Sequence, residues 1–271
     1  MNLLFFQAAF ILYLLGTGAS LAFFAFPRNI LSRTEKWTLT GGFAAHSCAL
    51  VFRYLEAGHT PVTNLHESLS FFAWSIVGVY LLLHLKYQVK FLAAFISPLA
   101  ALLIILSALF PKEILPLAPV LKSNWLPIHV IFAFLGNALL TLAFAAGVMY
   151  LIQERQIKSK KIGLFYYRLP ALKLLDDLNY RCLTIGFPLL TLGIISGSVW
   201  AESAWGSYWS WDPKETWSLI TWFLYAALLH GRLAIGWRGR KAALLSIVGF
   251  GVLIFSFLWV NLLLTGLHSY N

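Results

Sequence analysis

Stretches of about twenty apolar residues recur along the whole chain, and they restrict its fold more than any other feature. A helix of that length spans the ~30 Å hydrocarbon core of a bilayer, where the backbone must satisfy its own hydrogen bonds. With 60% hydrophobic and 11% charged residues, the chain is predicted to be an all-α, polytopic membrane helical bundle forming one domain over residues 1–271. We predict eight transmembrane spans, near residues 3–26, 37–57, 67–87, 91–110, 127–152, 183–201, 213–235 and 243–265.

The lysines and arginines predict the orientation. Sixteen of the twenty fall in loops on one side of these spans. The other side has only Arg53, Lys112, Lys122 and Lys214. By the positive-inside rule the first side is cytoplasmic, so both termini lie outside. The net charge of +10 therefore indicates membrane topology and contact with lipid, and no nucleic-acid partner is expected.

Two long loops differ in character. The loop 153–182 is predicted to be the longest and most basic one on the cytoplasmic side, lying on anionic lipid. The loop 111–126 contains three prolines and is expected to be ordered but non-helical on the outer side. The two cysteines, Cys48 and Cys182, are far apart without a CxxC pair, which excludes a thiol–disulfide motif and a covalent haem-attachment motif in this chain.

An external segment, residues 205–217 (WGSYWSWDPKETW), holds four of the eleven tryptophans. Asp212 can cap a helix that starts at Pro213, and Glu215 can reach back to the Asp212 N–H. We therefore expect a short aromatic platform directly before a membrane helix. Such a platform suits a large flat apolar molecule, and the alternative is an interfacial aromatic belt. The candidate binding residues are Trp205, Tyr208, Trp209, Trp211 and Asp212.

Two histidines are predicted to lie at the level of this platform. His129 is in the first turn of the fifth span, and His268 follows Gly266, a predicted helix stop after the eighth span. Both then lie on the outer side, where two imidazoles flank the aromatic platform. Haem needs this combination, because its iron takes axial ligands and its ring stacks. His129 and His268 are therefore predicted ligands of the iron of a non-covalent haem b.

Two further histidines are predicted to lie within the spans, close to the cytoplasmic edge of the membrane. His230 is seventeen residues beyond Pro213, about 25 Å along a helix. His84 reaches a similar depth in the third span. An ionisable residue inside a span indicates function by default, and a neutral histidine bonded to a backbone carbonyl is the alternative.

The remaining histidines are expected to be structural or solvated. His46 lies near mid-membrane in the second span, where we expect a structural hydrogen bond. His59 and His66 belong to the polar outer loop 58–69 and are expected to be solvated, and the alternative is that they line the outer pocket.

These residues together resemble the haem-handling family of cytochrome c biogenesis proteins, whose mark is a tryptophan-rich external motif. The match is WGSYWSWDPKETWSLITWFLYAALLH, residues 205–230. Supporting segments are WLPIH at 125–129, GLHSY at 266–270 and GHTPVTNLHESLSFFAW at 58–74. The length and the eight spans fit the CcsA or ResC branch better than the shorter CcmC or the longer CcmF branch. His66 departs from the family pattern, which has a tyrosine before the Glu-Ser pair.

The resemblance implies a function. Such proteins work with a second membrane protein, CcsB or ResB, to move haem outward and attach it to the CxxCH cysteines of apocytochrome c. The chain would thus be a subunit of a cytochrome c synthase, in the bacterial plasma membrane or the thylakoid membrane, with the motif on the external side. By the resemblance, residues 205–212 bind haem, and His129 and His268 are its external axial ligands.

The resemblance also implies that His230 is the intramembrane haem ligand at the entry site. Its counterpart would come from the partner protein, whereas depth alone favours His84. No residue is an evident nucleophile, so the expected task of the chain is to orient and protect haem.

Two other functions remain open at this point. One is haem transport and delivery without attachment, as in the CcmC branch. The other is regulation of haem synthesis, as in the eight-span HemX proteins. The presence of His129, His268 and the complete tryptophan motif argues against the regulator.

Overall fold

The computed structural model describes residues 1–87, 89–114, 123–160 and 163–263, with no side-chain description at 90 and 259–263. The described residues form nine α-helices and no strand, which confirms the all-α prediction. The helices are α1 Asn2–Ala25, α2 Asn29–Ala57, α3 Leu65–Tyr87, α4 Ala93–Leu109, α5 Trp125–Lys158, α6 Leu164–Arg168, α7 Leu172–Trp205, α8 Pro213–His230 and α9 Arg240–Leu263. A 3₁₀ turn, Lys90–Leu92, precedes α4, and a π-helical turn, Gly231–Ile235, follows α8.

The helices divide into two compact units, Met1–Leu117 and Ala118–Asn271. In unit 1, α1 packs on α2 and α4, and α3 packs on α4. In unit 2, α5 packs on α7 and α9, and α8 packs on α7 and α9. The single domain over residues 1–271 stays a prediction.

Each of the eight predicted spans overlaps a helix, and six of these helices are long and apolar enough to cross a membrane. The six are α1, α3, α5, α7, α8 with its π-helical turn (Pro213–Ile235), and α9 (Arg240–Leu258). Helix α2 carries charged residues at both ends, and α4 has only 17 residues. The chain is thus an integral membrane helical protein, while the number of eight spans and the external termini stay predictions.

The segment 153–182 was predicted to be a loop, and this was wrong because its described residues are largely helical, while its cytoplasmic side stays a prediction. Helix α5 runs on to Lys158, α6 lies within the segment, and α7 begins at Leu172 instead of near residue 183. Apolar runs mark only the part of a helix that enters the bilayer. The charged ends of these helices extend beyond the apolar runs, because Lys, Arg and Glu are good helix formers.

Helices α5 and α7 approach so closely that their backbones touch. A Cβ added to Gly136 would lie 2.8 Å from Leu190 N, and one added to Gly193 would lie 3.0 Å from Ala133 Cα. Small residues at such contacts are typical of membrane helix pairs. This contact brings the Gly193 carbonyl on α7 to the face of α5 that carries His129.

Candidate functional site

The tryptophan-rich segment forms a short loop between α7 and α8. Helix α7 ends at Gly206, which has φ +75°, a left-handed conformation that glycine adopts without strain. Helix α8 starts with Pro213 behind the capping residue Asp212, whose Oδ1 accepts a hydrogen bond of 2.7 Å from Glu215 N. The cap and the proline at the helix start are as predicted.

A second set of bonds fixes the middle of the loop. Glu215 Oε2 reaches further back than predicted and accepts from Ser210 N at 2.7 Å and Ser210 Oγ at 3.2 Å. Between these anchors Trp211 has φ +58°. That conformation costs a non-glycine residue about 1–3 kcal/mol, and it persists when the surrounding bonds determine it. Backbone strain of this kind is common at functional sites.

The aromatic side chains of the loop differ in exposure. Tyr208 is 60% and Trp211 is 68% exposed, large fractions for side chains of this size. Trp209 is half-buried and meets Trp211 edge to face, with ring centroids 5.8 Å apart. The loop therefore presents a rigid edge-to-face tryptophan pair, with one exposed ring, at the start of α8.

His129 lies in the first turns of α5, half-buried against α7. Its Nδ1 is 2.7 Å from Gly193 O. Because a carbonyl oxygen only accepts, Nδ1 carries the proton, and in a neutral ring the lone pair is then on Nε2. This is the tautomer that a metal-binding histidine adopts when it ligates through Nε2.

A row of aromatic rings connects His129 to the tryptophan-rich segment. The imidazole lies parallel to the Trp200 ring, 7° between planes and 6.3 Å between centroids. Trp200 in turn meets Trp205 edge to face, with centroids 5.0 Å apart. The structure thus brings His129 and Trp205 to one place, with Trp200 between them.

Sequence reasoning missed three residues of this site. Trp200 separates His129 from Trp205, Gly193 supplies the carbonyl, and Gly197 leaves room for the imidazole. A Cβ on Gly197 would lie 2.7 Å from His129 Nδ1. The glycine pair four residues apart, followed by a tryptophan, was the signal that a close contact occurs here.

The other predicted ligands lie elsewhere or outside the described residues. His230 is the last residue of α8 and its side chain is exposed, about 25 Å along the helix from Pro213. His268 lies outside the described residues. The structure therefore does not bring His230 to the site of His129 and Trp205.

The histidines of unit 1 are structural in their contacts. His46 is buried and has Nε2 2.7 Å from Ser70 Oγ, in agreement with the expected structural hydrogen bond. His59 and His66 are buried, so the expectation that they are solvated was wrong. Helix α3 begins two residues earlier than predicted, and this places His66 within its first turn, with Nδ1 2.9 Å from Ser107 O of α4.

His84 is half-buried on α3, with Nδ1 3.5 Å from Tyr80 Oη. The Tyr80 hydroxyl donates to Glu35 Oε1 at 2.8 Å. His84 is therefore tied to the carboxylate of α2 through a tyrosine. This contact supports neither His84 nor a residue of the partner protein as the second haem ligand opposite His230.

Comparison with known proteins points to one family. A family model described as cytochrome c assembly protein matches residues 62–268. A cytochrome c biogenesis protein CcsA of Synechococcus elongatus is 41% identical, with 81% of each chain covered. That of Synechocystis is 36% identical over 98% of this chain and 96% of the relative. That of Chlamydomonas reinhardtii is 44% identical over 82% of this chain and 64% of the relative.

The structural comparison gives the same fold. The solved structure of the cytochrome c haem lyase CcmF matches with a TM-score of 0.67 at 19% identity. The match covers 95% of this chain and 46% of the CcmF chain, so this chain spans less than half of that protein.

Proposed function

The chain belongs to the family of cytochrome c assembly proteins, which places it in c-type cytochrome biogenesis, and we propose that it carries haem b non-covalently to the external face of its membrane. With a CcsB- or ResB-like membrane partner it presents this haem for thioether attachment to the CxxCH cysteines of apocytochrome c. The membrane is a bacterial plasma membrane or a thylakoid membrane. The fold likeness to a haem lyase supports the proposal.

The hydrogen bond from His129 Nδ1 to Gly193 O carries this proposal. The bond leaves Nε2 as the coordinating atom and fixes the ring plane, as outer partners of metal-binding histidines do. His129 is then one axial ligand of the iron, and His268 is proposed as the other. Trp205, Tyr208, Trp209 and Trp211 provide the aromatic surface against the ring, and Asp212 holds the loop.

The chemistry of attachment requires positioning more than it requires a nucleophile. The thiols belong to the apocytochrome and the vinyl groups to haem. This chain orients the two reactants and, through two histidine ligands, restricts the access of oxygen to ferrous iron. In this proposal haem leaves when the histidine of the incoming CxxCH replaces one of these ligands, and the chain acts as a subunit of a cytochrome c synthase.

The proposal predicts haem in the purified protein. The full chain prepared with its partner should show the absorbance of low-spin iron with two histidine ligands. We also propose that His230 is the haem ligand of an inner entry site, from which the outer site at His129 is filled, so His230→Ala should lower the haem content of both sites. A colourless wild-type preparation from haem-replete cells contradicts the proposed function. A normal haem content in His230→Ala would contradict only the proposed inner site at His230.

A glycine substitution tests whether the position of the His129 ring matters, and it leaves the proposed iron ligands unchanged. In Gly197→Ala the new methyl group overlaps Nδ1, so the imidazole must move and the bond to Gly193 O is lost. We expect about tenfold weaker haem binding, the low end for loss of an outer partner. Alanine otherwise favours a helix by about 1 kcal/mol over glycine.

The matched control is Gly251→Ala in α9, where an added Cβ meets nothing within 4 Å. Haem absorbance titrations of the two variants decide the point. Equal affinity in both would mean that the contact of Gly197 with His129 has no part in binding haem.

A further inference from the structure

A largely buried ion pair, with Arg232 4% and Asp176 16% exposed, holds the turn that directly follows His230. Arg232 Nη1 and Nη2 donate to Asp176 Oδ1 and Oδ2, each at 3.0 Å. The Arg232 side chain is only 4% exposed, and the guanidinium carbon lies 5.0 Å from the Tyr180 ring centroid. The π-helical turn after α8 is therefore fixed to α7 by a two-pronged, charge-assisted contact.

The same network fastens the neighbouring helices. Asp176 Oδ1 also accepts from Gly239 N at 2.8 Å, so one carboxylate holds both ends of the segment 231–239. Asn179 Oδ1 accepts from Arg232 Nη1 at 3.3 Å. Asn179 Nδ2 donates to Ala143 O of α5 and to Ser246 Oγ of α9, both at 2.8 Å. Four elements of unit 2 thus meet around Arg232, two residues after His230.

The backbone next to His230 is packed as well as bonded. Trp237 N donates to Gly231 O at 2.9 Å, and a Cβ on Gly231 would overlap the Trp237 ring. π-Helical turns like this one occur frequently at functional sites. His230 therefore carries an exposed imidazole, and the conformation of the backbone that follows it is fixed by the neighbouring residues.

We infer that Asp176 and Arg232 are positioning residues for His230, an inference that rests on the proposed function of His230 as a haem ligand. Replacing a buried ion pair by apolar residues is often neutral or stabilising, so stability alone does not account for these two charges. A ligand, however, needs its backbone fixed while its ring stays accessible. The pair, together with Trp237 on Gly231, meets both conditions.

The test is a titration of the full chain, purified with its partner, with ferric haem b. The variants are made in a His129→Gly, His268→Gly background, so that the inner site is read alone. We expect Arg232→Gln and Asp176→Asn to bind haem about tenfold more weakly. The Soret band should shift from low-spin towards high-spin.

The matched control is Arg238→Gln, which removes an exposed arginine from the same segment and should change neither affinity nor spectrum. Arg232→Lys keeps the charge without the planar fork and should fall between wild type and Arg232→Gln. A loss of fold alone would lower the amount of protein and leave the spectrum of the folded fraction unchanged.

The outcomes separate the inference from the proposed function. If His230→Ala weakens haem binding while Arg232→Gln and Asp176→Asn bind normally, the inference is overturned and the inner site stands. If His230→Ala binds normally in the same background, the inner site and the inference fall together. If the Arg232 and Asp176 variants do not accumulate, Trp237→Leu is the substitute, because it leaves the ion pair intact. This variant should give the same spectral shift. A wild-type spectrum in Trp237→Leu overturns the inference.

Discussion

Replacement of His129 by glycine is expected to abolish covalent haem attachment to a reporter cytochrome c, and added imidazole is expected to restore part of it. The substitution removes the ring bonded to Gly193 O and leaves Trp200 and the tryptophan-rich segment in place. Imidazole is the missing side chain as a free molecule, so it can refill the gap and ligate the iron. His268→Gly should behave in the same way. The measurement is haem staining of the reporter, with and without imidazole.

Tryptophan variants provide the contrast. Trp209→Ala and Trp211→Ala remove apolar area worth about 1.5–3 kcal/mol per buried aromatic side chain, and imidazole cannot replace that area. Both variants should bind haem less tightly without rescue. If both histidine variants mature the reporter normally, the outer haem site is misassigned and the tryptophans form an interfacial belt.

Loss of Arg53 is expected to be the most destabilising change in unit 1. Arg53 Nε lies 2.7 Å from Glu67 Oε1, and the two side chains are 5% and 2% exposed. The guanidinium also donates to Lys112 O and Glu113 O, at 2.7 and 3.0 Å. Arg53→Met leaves the Glu67 carboxylate buried without its cation, a change that costs about 3–5 kcal/mol.

A double variant separates the charge from the packing. Arg53→Met with Glu67→Gln removes both charges and should recover most of the lost stability, because no ion remains buried. The free energy of unfolding in detergent is the measurement, and Arg28→Met, at an exposed arginine of the same unit, is the control. Equal losses in the single and double variants would show that the unpaired Glu67 charge adds nothing to the cost of removing Arg53.

Local chemistry was readable from the sequence around residues 205–217. The Asp212 cap and the proline start of α8 depend on neighbours within three residues, and they occur as predicted. The helix lengths were less readable, since α7 begins eleven residues before its apolar run. Hydrophobicity reports the depth at which a helix enters lipid, whereas the end of the helix follows from hydrogen bonds and caps.

The contacts of the histidines were the least predictable. His66 was expected to be solvated, and it is buried against Ser107, 41 positions away. Nothing near His129 in the sequence indicates that Gly193 holds its Nδ1 or that Trp200 lies beside its ring. Such contacts depend on which face of each helix turns toward its neighbour, and helices hydrophobic on all sides give no periodic signal of that face.

The sequence by itself determined the class of this protein, its helical architecture, its family and the cap of the tryptophan loop. The physical reason is that the bilayer admits only long apolar elements with satisfied backbones, and that capping acts within one turn. Only the tertiary structure decided that His129 bonds to Gly193 and that Asp176 binds Arg232, contacts that join residues 64 and 56 positions apart. Those pairings follow from helix rotation and from the close approach that glycines permit, which are properties of packed helices and not of any single one.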